Sequence, residues 1–298
     1  MAADGSNVND RLSAALAGRL ALQMSLSSLP VVEEWMDAPL TRWLDSVPLP
    51  PEMPGGRGPP LVVSVGADAK MVRWSAAGEP GGVVPKLVDY LRRAGAVPGD
   101  FHQVDAIGQA LEPAVVGSWV EARPGTVTTG WFVADRMELD GLRRLFGDAE
   151  WMDVLGRGAC LRAGRSVGAV AEPVTDVVIE LAGAERSAQL DAAAEVFARC
   201  GFAFDREPAA RLAGQEIALG VCARAGRVAS ARLMVVRPGP SAVGQTCSAL
   251  GLDLDPAVGA VERAIGASEV ALIELERSAA GAAVTIEYLA GTARPSVN

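Results

Sequence analysis
Gly95, Gly147, Gly201 and Gly251 each follow a stretch with helical periodicity, and they recur at intervals of 52, 54 and 50 residues. A glycine just past the last periodic residue fits the left-handed stop that ends a helix. Between these stops lie paired runs of alternating apolar residues, read as five hairpins at about 61–75, 115–133, 159–182, 216–236 and 269–290. A near-constant period of this length marks a repeat, and a repeat buries its apolar face only against neighbours. The sequence therefore predicts an α+β fold: one antiparallel ten-stranded barrel built from about five αββ repeats, with the helices outside.

Residues 1–60 precede the repeats. They read as N-terminal helices, the first with Leu12, Leu16, Leu20 and Met24 on one stripe, followed by the Pro/Gly-rich strap "PLPPEMPGGRGPP". The barrel is expected over 61–291 and a tail over 292–298, as one structural domain.

The stretch "EIALGVCARAGRVASARLMVVRPG" is apolar on both faces if Ala225-Gly226 is a two-residue turn. Simple alternation puts Ile217, Leu219, Val221, Ala223, Val228, Ser230, Arg232 and Met234 on one face. The small residues Ala218, Gly220, Cys222, Ala229 and Ala231 share the other with Leu233. This predicts the small face under a helix and the bulky face lining an apolar barrel chamber, where Arg232 calls for an anionic partner. In "VVGSWVEARPGTVTTGWFV", Trp119, Glu121, Arg123, Thr126 and Thr128 share a face that is either lumen or solvent.

Composition narrows the function. A net charge of −9 argues against nucleic acid and anionic membrane as partners. The start lacks a signal-peptide pattern and no apolar run is long enough for a span, so the reading is a cytoplasmic protein; arginine in place of lysine nearly throughout, with Ala, Gly and Pro richness, suggests a GC-rich bacterial genome. Cys160, Cys200, Cys222 and Cys247 have no metal or redox spacing. "GRSVG" places Ser166 in a nucleophile-like motif, but the single His102 precedes it and Pro173 follows, against the hydrolase order. His102 and Asp105 in "FHQVD" are an acid/base candidate, although a lone histidine near a helix start is more often structural. Glu121 and Glu274 are the candidate catalytic groups, able to take a proton or bind Mg²⁺ if they face the lumen.

The order of elements, with "AEVFARCGF" before one hairpin and "CSALGLDLDP" before another, resembles the αββα-barrel (ABBA) aromatic prenyltransferases. The resemblance implies a barrel holding an allylic diphosphate and a small hydrophobic or aromatic substrate. By strand position it nominates Arg232, Arg123, Lys70 and Arg73 for the diphosphate, and Trp119, Trp74 and Tyr288 as shields for a carbocation, with Ser230 and Met234 beside them. Two tyrosines and two lysines in the chain are fewer than such a lumen leads one to expect. A cyclase or hydrophobic-metabolite binding protein on the same fold is the alternative, and a non-catalytic interaction protein with a filled barrel the second.

Overall fold
The computed structural model describes residues 61–77, 98–111, 114–123, 126–146, 150–156, 159–167, 172–181, 185–212, 216–239, 241–265 and 270–290. The helices and strap expected over 1–60, the helix expected in "VVPKLVDYLRRAG", the stops Gly95 and Gly147 and the tail lie outside them. The strands are β1 (Leu61–Gly66), β2 (Val72–Ala77), β3 (Val115–Arg123), β4 (Thr126–Glu138), β5 (Ala159–Val167), β6 (Val174–Glu180), β7 (Glu216–Arg224), β8 (Arg227–Val236), β9 (Val270–Ser278) and β10 (Gly281–Ala290). Each pairs antiparallel with the next in sequence, and β1 closes on β10, giving the expected ten-stranded barrel.

The helices are α1 (Pro98–Leu111), α2 (Leu139–Phe146), α3 (Arg186–Arg199), α4 (Arg206–Arg211), α5 (Ala242–Ala249) and α6 (Pro256–Ile265), with a 3-10 turn at Glu150–Leu155. Gly201 and Gly251 end α3 and α5 at φ +79° and +66°. Past each stop the backbone N–H folds back, Phe202 donating to Phe197 and Leu252 to Cys247. Each then leads through an aspartate into a second helix that periodicity did not announce, so these two repeats are ααββ. Asp255 caps α6 by accepting the Ala257 N–H at 2.8 Å. Asp205, before α4, accepts the guanidinium of Arg277 from β9. Helix α1 was not anticipated either; it carries His102, which is exposed.

One hydrophobic core fills the space between the outer barrel wall and the helices, joining Leu219, Val221, Leu233 and Ile273 of the strands to Leu190 and Phe197 of α3. Against β4, Trp131 Nε1 donates to the Val104 carbonyl at 3.4 Å. A Cβ at Gly108 would lie 2.9 Å from that nitrogen, so α1 sits flush on the wall because position 108 is glycine.

The β7–β8 hairpin turns at Ala225-Gly226 with both residues at positive φ, 48° and 76°, and Arg224 pairs with Arg227 as expected. Two steps later a bulge intervenes: Ala223 pairs with Val228 but Cys222 pairs with Ser230, leaving Ala229 as the extra residue. Beyond it Gly220 faces Arg232 and Ala218 faces Met234. One inserted residue exchanges the two faces of a strand relative to its partner. The expected sorting is therefore reversed for β7. Ile217, Leu219 and Val221 belong to the core beneath the helices, and the small Ala218, Gly220 and Cys222 face the lumen with Arg232 and Met234.

Leu219 is fully buried in that outer core. Leu219→Ala should lower stability by about 2–5 kcal/mol in urea unfolding; a loss under about 1 kcal/mol would contradict its placement.

Candidate functional site in the barrel lumen
The ladders sort the inward positions into rows that climb round the wall. One row runs Ser75, Trp119, Gly130, Gly164, Asp176, Cys222 and Ser230. Its two glycines make room for the indole of Trp119: a Cβ at Gly164 would lie 2.2 Å from Trp119 Cζ2, and one at Gly130 2.8 Å from the same atom. Trp119 is thereby laid against the wall, fully buried, with the guanidinium carbon of Arg162 5.2 Å from its ring centroid.

The middle of the lumen is an ionic network. Glu274 on β9 is its hub, accepting from Arg73 Nη1 at 2.6 Å and Nη2 at 3.0 Å and from Arg162 Nη1 at 3.5 Å, with Arg232 Nη1 at 3.9 Å. Arg73 also donates Nε to Glu121 at 2.9 Å. Towards the hairpin turns, Arg123 bridges Glu121 at 2.9 Å and Glu276 at 2.8 Å. Asp176 pairs with Arg232, and with Arg162 at 3.1 Å. Ser64 donates to Glu287 at 3.0 Å. Several of these pairs reach across the barrel: Arg162 on β5 and Glu274 on β9 stand four strands apart in the ring, as do Arg123 on β3 and Glu276 on β9. At the helix end of the lumen Val178, Ala218 and Met234 form a separate apolar cluster, packed by Leu161 and Leu272.

The charges are not evenly satisfied. Burial opposes ionisation of Arg73, but Glu274 and Glu121 outweigh it and hold the guanidinium firmly protonated. Burial likewise opposes the charge on Glu274, yet Arg73, Arg162 and Arg232 bring its carboxyl down to about 2. Glu121 is held well below the usual carboxylate range by Arg123 and Arg73 against the same burial cost. Glu287 goes the other way: burial, with Glu274 nearby, raises it despite Arg73. Arg162 and Arg232 are both lowered to about 10, chiefly by burial and then by a neighbouring guanidinium. These same two arginines carry Nε–H groups without a hydrogen-bond partner, as do Trp119 Nε1 and the Ser75 and Ser230 hydroxyls.

Of the candidate residues, the barrel brings Arg73, Arg123, Arg232, Glu121, Glu274, Trp119, Ser230 and Met234 to its inner side. Lys70 does not join them. It lies in the exposed β1–β2 turn with its ammonium 3.9 Å from Asp68, because the hairpin reverses before the lumen wall begins. Tyr288 is also displaced: it pairs with Val63 on the opposite register from Glu287 and is buried in the outer core. Trp74 pairs with Val63 and Val120, one residue out of phase with Arg73. The expected apolar chamber is overturned as well, since the middle of the lumen is charged and apolar side chains cluster at its helix end. Ser166 stands on β5, its hydroxyl accepting the Val174 N–H at 2.8 Å. Two central residues, Arg162 and Asp176, were missed: Arg162 lies two residues from the inward Gly164 on β5, and the β5–β6 register sets Asp176 opposite Gly164. Among the described residues no group of three or more His, Cys, Asp or Glu side chains is arranged to hold a metal ion. No described helix is long and apolar enough to cross a membrane.

The barrel has close structural counterparts. The 5-dimethylallyltryptophan synthase of Streptomyces coelicolor superposes with a TM-score of 0.62 at 17% identity, over 95% of this chain and 99% of that one. The prenyltransferase PriB, in its ternary complex with L-tryptophan and dimethylallyl thiolodiphosphate, gives 0.63 at 17% identity over 93% and 96%. AnaPT of Neosartorya fischeri gives 0.54 at 9% identity over 83% and 84%. The fold is thus the αββα barrel found in aromatic prenyltransferases, and at these identities the likeness speaks for the fold. In sequence, a PH domain-containing protein of Dictyostelium discoideum is 23% identical over 263 residues, 82% of this chain. The chain spans 57% of the length of that curated relative. No protein-family model matches.

Glu274 connects stability to pH. Its carboxyl falls from an ordinary 4.5 to about 2 on folding, so its contribution is complete above about 4.5 and is lost as pH falls towards 2. Glu274→Gln should cost about 3–5 kcal/mol at neutral pH by leaving Arg73 with Glu121 as its one remaining hydrogen-bonded carboxylate among the described residues and by removing the counter-charge of Arg162 and Arg232, and should flatten the acid limb of the stability–pH curve. In Gly164→Ala the new Cβ meets the Thr129 carbonyl at 2.6 Å as well as the indole, which should destabilise by about 1–3 kcal/mol and alter Trp119 fluorescence.

Proposed function
We propose that the lumen binds an allylic diphosphate and transfers its prenyl group to a small aromatic acceptor. The observation that carries this reading is the juxtaposition of Arg232 with the apolar cluster: a Cβ at Gly220 would touch Arg232 Nε at 3.1 Å and Met234 Cε at 3.2 Å. A guanidinium with an unsatisfied N–H thus abuts a greasy patch of Val178, Ala218 and Met234. That is the polarity of a short isoprenyl chain ending in diphosphate. The fold supports the same reading, since PriB has been solved with L-tryptophan and a dimethylallyl thiolodiphosphate.

On this reading Arg162 and Arg232 take the diphosphate oxygens through charge-assisted hydrogen bonds and stabilise the leaving group as its C–O bond breaks. The buried face of Trp119 stabilises the allylic cation. A new carbon–carbon bond then forms to the acceptor ring, which loses a proton to water to regain aromaticity. Glu121 and Glu274, both held ionised by Arg73, position that guanidinium and are poor proton acceptors while paired. The ion pairs that join opposite walls favour a second reading, a filled barrel that serves as an interaction protein.

Incubation with dimethylallyl diphosphate and a panel of indoles and phenols, followed by mass spectrometry, should reveal a prenylated acceptor. Calorimetry with inorganic diphosphate should show binding that Arg232→Met weakens about tenfold to a hundredfold, the worth of one or two hydrogen bonds to a charged group. Absence of diphosphate binding to the wild-type protein would favour the filled barrel instead.

A further inference from the structure
Asp176 occupies the place an incoming anion would have to take. It stands on β6 between Gly164 and Cys222 in the ladder and is 3% exposed. Its carboxylate touches Arg232 and lies 3.1 Å from Arg162 Nη2, and these are the two lumen guanidiniums with unpartnered Nε–H groups. The other lumen arginines are engaged elsewhere, Arg73 by Glu121 and Glu274, and Arg123 by Glu121 and Glu276. Glu274 therefore keeps Arg73 when Arg162 and Arg232 turn to a ligand. Among the described residues Asp176 has no such reserve: its ladder neighbours are a glycine and the Cys222 thiol, which burial pushes up to about 12, and Val174 and Val178 flank it on its own strand. The further charges that face this region are the carboxylates of Glu274 and Glu276 from β9, Glu121 from β3 and Glu287 from β10, which oppose a second anion.

We propose that Asp176 is a built-in competitor for the anion site: diphosphate displaces its carboxylate from Arg162 and Arg232, and the displaced carboxylate takes up one proton from solvent. The inference rests on the diphosphate reading of the lumen. A buried carboxylate stripped of its counter-ions neutralises rather than remain charged. The only covalent change is an O–H bond on Asp176, its proton supplied by the buffer. Binding is then linked to pH, the affinity rising as pH falls by up to about tenfold per unit for one proton.

The experiment is a calorimetric titration of inorganic diphosphate into the wild-type chain and Asp176→Asn between about pH 5 and 9, a range that spans ordinary and strongly raised carboxyl pKa values. Protonation of diphosphate itself is common to both proteins and cancels in the comparison. Asp176→Asn should bind about tenfold or more tightly than wild type at high pH, and the two should converge as pH falls. Parallel curves would overturn the proposal. Should Asp176→Asn fail to fold by circular dichroism, infrared difference spectra of the wild type with and without diphosphate decide the matter. A carbonyl band of a protonated carboxylic acid, to which diphosphate contributes nothing, should appear on binding, and binding without that band overturns the competitor while sparing the diphosphate site. No binding to either protein at any pH removes both.

Discussion
The two hydrogen bonds from Arg73 to Glu274, at 2.6 and 3.0 Å, hold together the inside of this barrel. They join β2 to β9 across the closing strands β1 and β10. A pair so deeply buried recovers its desolvation cost only when the remaining donors and acceptors are also met, and here Glu121 takes up the Arg73 Nε while Arg123 and Glu276 extend the chain. The cost is not recovered everywhere. It is left standing at Arg162 and Arg232, where guanidinium sits beside guanidinium and the N–H groups outnumber their acceptors.

The wall is made to fit this interior. Glycines at 130, 164 and 220 remove side chains where Trp119 and Arg232 must lie flat, and the bulge at Ala229 turns small residues inward on β7 while β8 brings its arginine and methionine. Outside, the same strands present branched aliphatics to the helices. Polar content within and apolar content without is the opposite of an ordinary sandwich, and it follows from a sheet that has helices on one side and a closed lumen on the other.

Much of this was legible in the sequence. The glycine stops and five hairpins led to the ten-stranded ring, and alternation from Arg123 and Thr126 put Trp119 and Glu121 on one face. What alternation could not see was the bulge, since an extra residue leaves no mark in composition, and that single event exchanged Leu219 for Gly220. Lys70 and Tyr288 misled for related reasons: a cation in a turn and an aromatic one residue out of phase look inward until the ladder is known. Asp176 and Arg162 were hidden because "ACLRAGRSV" and "VTDVVIE" carry their charges singly among apolar residues, the pattern of strands whose other side is also buried. Of the second helices in the last repeats, the one started at Asp205 has only six residues, too few for periodicity to reveal, whereas the one started at Asp255 has ten and was overlooked.

The simple neighbour-to-neighbour order of the strands has a consequence for how the chain reaches this state. Every hairpin can form locally, but the ring closes only when β10 docks on β1, and the hub carboxylate arrives on β9, 201 residues after the arginine it neutralises. A chain leaving the ribosome therefore carries Arg73, Arg123, Arg162 and Arg232 before Glu274 and Glu276 have been added. Long-range closure of this kind slows folding, and here the hairpin that follows the other eight strands in the chain is the one that locks the barrel.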